Sequence, residues 1–72
     1  MYHIYKNGEY IKLQIDAKTP EDALDTLNLQ LNLRNIKRGK VLGGEVILEC
    51  IDATPGQPSN CSKINLWEVR QG

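Results

Sequence analysis

Few residues in this chain have the types and spacing that chemistry needs. His3 is the only histidine, so any Ser–His–Asp or Cys–His constellation has to run through it. It stands in a strand-like run between two tyrosines, where a surface imidazole is the simpler reading. Cys50 and Cys61 form no Cys-x-x-Cys motif, and their spacing matches no zinc pattern. Glu45 and Glu49 share a strand face but sit about 13 Å apart along it. Paired carboxylates act on one bond at roughly 5–9.5 Å, so these two read as solvated acids. Gly43-Gly44 follows a basic stretch, yet it lacks a phosphate-loop pattern and a helix after it, which suits a turn or bulge. These residues predict no catalytic site, no metal ligand set and no cofactor, and hence a protein that is not an enzyme. Arg34, Lys37, Arg38 and Lys40 are a candidate phosphate-binding group, with Tyr5 and Tyr10 as stacking platforms. The competing reading is that these cations complement a helix C-terminus and solvate a connection.

The 72 residues allow one domain, residues 1–72, with 40% apolar and 25% charged residues and a net charge of zero. No whole-molecule field therefore draws it to nucleic acid or membrane. The charges are nonetheless segregated. Asp16, Glu21, Asp22 and Asp25 precede Arg34, Lys37, Arg38 and Lys40. No apolar run approaches the ~18 residues of a membrane span, and no signal peptide is visible, so a cytoplasmic location is expected. In that compartment Cys50 and Cys61 are expected to be free thiols.

The elements that position these residues centre on Ala17–Asn35. Thr19 is an N-cap, Pro20 suits the first helical position, and Asp22 stands three residues after the cap. Glu21, Asp25, Asn28, Asn32 and Asn35 fall on one polar stripe at helical spacing. Ala23, Leu24, Leu27 and Leu31 form the main apolar face. Leu29, Leu33 and Ile36 form a second ridge. Leu27, Leu29, Leu31 and Leu33 also alternate like a strand, but the continuous polar stripe favours helix, with Gly39 as its stop. Before the helix, Asn7-Gly8 joins Tyr2–Lys6 to Glu9–Ala17 in a type I′ hairpin. That turn pairs Lys6 with Glu9, Ile4 with Ile11 and Tyr2 with Leu13. Tyr2, Ile4, Ile11, Leu13 and Ile15 then share one face, and His3, Tyr5, Tyr10, Lys12 and Gln14 the other. After the helix, residues 36–44 read as a basic connection, 45–53 as a third strand, 54–62 as a loop and 63–70 as a fourth. The predicted fold is α+β: ββαββ, a four-stranded antiparallel sheet with one helix on one face and the other face open.

The run Ile15-Asp16-Ala17-Lys18-Thr19-Pro20-Glu21-Asp22-Ala23-Leu24 ends a strand and opens a helix as A-x-T-x-E/D-D/E-A-L. It resembles the corresponding run in small phage-encoded inhibitors of host machinery: short inhibitors of bacterial RNA polymerase show it, and some compact anti-CRISPR proteins have a similar strand–helix–strand plan. The resemblance covers residues 15–24 and carries over no target-contacting residue. It implies a non-enzymatic protein–protein interaction module in the host cytoplasm that blocks a bacterial protein or ribonucleoprotein complex. Two alternatives come from other classes: a small nucleic-acid-binding protein using Arg34, Lys37, Arg38 and Lys40, and an antitoxin-like homodimerising domain. The candidate partner-binding residues are Tyr5 and Tyr10 on the open sheet face, with Leu29, Leu33 and Ile36 on the second ridge. The ridge has a competing explanation, in which the 37–44 connection folds over it with Val41 and Leu42 as a lid.

Overall fold

The computed structural model describes residues 1–41, 44–52 and 61–71. Six elements follow in order: β1 (Tyr2–Lys6), β2 (Glu9–Ile15), α1 (Pro20–Leu31), β3 (Ile36–Val41), β4 (Gly44–Cys50) and β5 (Ile64–Gln71). The fold is α+β with one antiparallel sheet in the order β2-β1-β5-β4-β3 and α1 on one face. Among the described residues, no helix is long and apolar enough to cross a membrane.

Asn7 (φ 52) and Gly8 (φ 87) both adopt the left-handed conformation a type I′ turn requires. The turn is also tied to β5. Asn7 N–H donates to the Leu66 carbonyl, and Leu66 N–H donates to Asn7 Oδ1, both at 2.8 Å. Lys6 faces Glu9 and Tyr5 faces Tyr10, but the expected pairing stops there. His3 faces Gln14 and Tyr2 faces Ile15, because β2 spends three residues, Ile11 to Leu13, opposite Ile4 alone. Lys12, at φ 60, carries the bulge. Two inserted residues preserve the side-chain alternation, so Tyr2, Ile4 and Ile15 are buried under the helix as expected.

The helix begins as its sequence dictates. Asp22 N–H donates to Thr19 Oγ1 at 3.1 Å, and Pro20 occupies the first turn. It ends at Leu31, not near Asn35. Asn32 takes the left-handed conformation (φ 52, ψ 49), and Leu33 N–H donates back to the Asn28 carbonyl at 3.3 Å. This is a Schellman closure, in which the residue after the left-handed one packs its apolar side chain inward. Leu33 does so. Asn35 (φ 54) turns the chain again. Asparagine enters this region at low cost, so two asparagines end the helix where the leucine pattern alone would extend it.

Residues 36–41 are therefore an edge strand and not a connection, and the sheet has five strands instead of four. Ile36 pairs with Glu49 and Val41 with Gly44 in an unbroken ladder. An edge strand has one neighbour and needs little apolar surface, and lysines are a common way of protecting it, so its sequence carries no hydrophobic alternation. The proposed lid does not form from Val41, which lies on the face away from the helix and is 41% exposed. Leu42 lies outside the described residues, as do residues 53–60 of the long loop.

Ala23, Leu24 and Leu27 of α1 are buried against Tyr2, Ile4, Ile15, Ile47, Trp67 and Val69. Each fully buried aliphatic side chain contributes about 1.5–3 kcal/mol relative to exposure. Leu31, assigned to the same face, is 39% exposed. The Trp67 indole N–H donates to Glu49 Oε1 at 3.1 Å, which satisfies the polar end of the largest core side chain.

Cys50 and Cys61 form a disulfide, with 5.8 Å between Cα atoms. Free thiols are the expectation for a reducing compartment, and a β4–β5 register that set Cys50 opposite Leu66 would likewise keep it away from Cys61. Its partner is instead Ile64, and Ile51 N–H continues the ladder to the Lys63 carbonyl at 3.0 Å. That two-residue difference in register brings Cys61 back beside Cys50.

Candidate protein-binding face

Strand alternation sends His3 and Tyr5 of β1 to the face opposite the helix. Across β2 they meet Tyr10, and across β5 they meet Glu68 and Arg70. The Tyr5 and Tyr10 ring centroids are 5.5 Å apart, and those of His3 and Tyr10 5.3 Å apart, both tilted. The Arg70 guanidinium carbon lies 4.1 Å from the Tyr5 ring centre, a cation–π contact. Arg70 Nη2 is held 3.4 Å from Glu68 Oε1, and Gln14 Nε2 donates to the Tyr10 hydroxyl at 3.3 Å. Three rings and a guanidinium thus form one continuous surface, steadied by a carboxylate and an amide at its margin.

The sequence places Tyr5 opposite Tyr10, and the structure brings them together. It contains no cue for Arg70 and Glu68, because the pairing of β1 with β5 joins opposite ends of the chain. The second ridge does not exist as one surface. Leu29 is 82% exposed on α1, while Leu33 and Ile36 lie beyond the helix and pack against the core. The four cations also separate. Arg34 is exposed in the turn before β3. Lys37 faces away from the helix, whereas Arg38 and Lys40 face towards it. Arg38 pairs with Asp25, and Lys40 Nζ lies 3.6 Å from Glu45 Oε1. Glu45 and Glu49 are each partnered as well, Glu49 by Trp67 and by the Asn65 amide at 3.2 Å.

Among the described residues, Cys50, Asp52 and Cys61 are the one group whose side chains converge as metal ligands could, within 4.8 Å. Each of the three is already engaged. The sulfurs are bonded to each other. Asp52 Oδ1 accepts from Ser62 N–H at 3.1 Å and Lys63 N–H at 3.0 Å, and Oδ2 accepts from the Ser62 hydroxyl. Asp52 thus clamps the strand end after the disulfide. The Ser62 hydroxyl bond, followed by the Lys63 amide, holds its carboxyl below the ordinary 3.8. A carboxyl depressed in the folded state adds stability above 3.8 that disappears as pH falls through its folded value. The melting-temperature advantage of the wild type over Asp52→Asn should therefore shrink on acidification below that point. An advantage independent of pH would contradict the clamp.

Comparison with protein-family models, curated proteins and solved structures finds no match.

Proposed function

We propose that this chain is a non-catalytic protein-binding module that docks through the His3–Tyr5–Tyr10–Arg70 face of its sheet. The observation that carries the reading is the continuous aromatic and guanidinium surface on the side of the sheet away from the helix. Tyrosine and arginine are enriched in binding hot spots, where each gives large contact area with a polar end. A nucleic-acid role has less support. Its four cations form no single surface, since Lys37 points to the opposite face of the sheet from Arg38 and Lys40. The narrower form of the proposal, a cytoplasmic inhibitor of a bacterial protein or ribonucleoprotein complex, is supported only by the resemblance over residues 15–24. Those residues are also accounted for by the cap at Thr19 and the burial of Ala23 and Leu24.

The test is capture from a bacterial lysate with immobilised protein, followed by mass spectrometry and a binding measurement with the purified partner. Tyr5→Ala combined with Tyr10→Ala should lower affinity by about 2 kcal/mol or more, roughly thirtyfold. The circular dichroism should stay unchanged, since both side chains lie outside the core. Unaltered capture by the double variant would refute the assignment of this face.

A further inference from the structure

The two edges of the sheet differ. The β2 edge is broken by its bulge at Ile11–Leu13, with Lys12 in the left-handed conformation. Such a break removes the regular ladder on which another strand could pair. The β3 edge has no such defect. Its six residues pair with β4 without interruption, and Asn35 adds a further rung by accepting from Cys50 N–H at 3.0 Å. Among the described residues no strand lies on its outer side.

Pairing with a second copy is opposed by charge. In an antiparallel register centred on Arg38, that arginine faces its own copy. One step along, Lys37 faces Lys40, and one step further Arg38 faces Lys40. Each central register sets cation against cation, which destabilises a strand pair. An added strand bearing acids meets the opposite situation. Lys40 is 73% exposed at its side chain and Arg38 39%, so both remain accessible to a further carboxylate despite their partners Glu45 and Asp25.

The other face of the same edge carries Lys37, Gly39 and Val41. Beside Lys37 opens a cavity of about 520 Å³ lined by the apolar Leu48 and Ile64 and the Cys50–Cys61 disulfide, and touched by Asn35 and Ile36 at the start of the strand. Ile64 is 53% exposed there. An extended strand with acids on the Arg38–Lys40 side presents its alternate residues to this side. We infer that the β3 edge accepts, by strand addition, an extended segment of a partner protein that alternates acidic and apolar residues. Backbone bonding gives the affinity, and the alternation gives the selectivity. This edge is separate from the aromatic face, and its failure would leave the reading of that face intact.

The probe is a capped seven-residue peptide alternating glutamate and valine, with the lysine–valine counterpart as control. Amide hydrogen exchange of the whole protein is followed by NMR. The glutamate peptide should slow exchange within residues 36–41, and the lysine peptide should not. Arg38→Gln combined with Lys40→Gln should weaken the glutamate peptide about tenfold. A melting curve for the variant establishes that it is folded, and Lys40→Gln alone serves if the pair is not. Three results would overturn the inference: equal binding of both peptides, no slowed amide in β3 at millimolar glutamate peptide, or β3 protection arising from a concentration-dependent dimer without peptide.

Discussion

Leu27→Asp is expected to abolish folding, while Leu29→Asp, two residues along the same helix, leaves the melting temperature nearly unchanged. Leu27 is 0% exposed and Leu29 82% exposed. Truncating a buried leucine costs about 2–5 kcal/mol, and a carboxylate with no partner in that space adds several more. A domain of this size holds roughly 4–11 kcal/mol in total, at about 0.05–0.15 kcal/mol per residue. The buried substitution therefore removes most or all of it. The exposed one falls in the range of about 0.5 kcal/mol typical of surface changes. Leu33→Asp should lie between them, because Leu33 is half-buried and closes the helix end. Chemical denaturation of the three variants checks the order. Comparable losses for Leu27→Asp and Leu29→Asp would contradict the placement of the helix on the sheet.

Reducing the disulfide should have the next largest effect. Cys50 and Cys61 are eleven positions apart, and a loop of that length restricts the unfolded chain by about 3 kcal/mol on the chain-entropy model. Against a total of roughly 4–11 kcal/mol, that is a large fraction. Cys50→Ser combined with Cys61→Ser should lower the urea midpoint by a corresponding amount. Reductant should lower the wild-type midpoint to that of the variant and leave the variant unmoved. Thiol titration of the unfolded wild type without reductant should find no thiol. Two reactive thiols would contradict the bond and restore the reduced state expected from the sequence.

Both results turn on features with unequal sequence signals. The Asn7-Gly8 turn and the Thr19-Pro20 cap are local chemistry, carried by residues next to each other in the chain. The two sheet faces are a matter of alternation and survive on either side of the bulge at Lys12, since two extra residues leave the parity intact, but Ile11, expected on the buried face, lies inside the bulge and is 38% exposed. The end of the helix is less visible. It depends on Asn32 turning left-handed while leucines on either side continue the apolar pattern. β3 has no hydrophobic alternation, because an edge strand with only lysine, arginine and glycine between Ile36 and Val41 looks like a solvated connection. The disulfide depends on register, where a shift of two residues between β4 and β5 decides which side chain faces Cys50. The binding face is half legible for the same reason. Tyr5 and Tyr10 are linked by a two-residue turn, whereas Arg70 reaches Tyr5 only through the pairing of β1 with β5.

Backbone NMR of the labelled protein on addition of its captured partner tests docking through that face most directly. Line broadening and shift changes should concentrate at His3, Tyr5, Tyr10 and Arg70, with the exposed side of α1 around Leu29 unaffected. Changes centred on Leu29 and the outer surface of the helix, with the aromatic face unmoved, would contradict it.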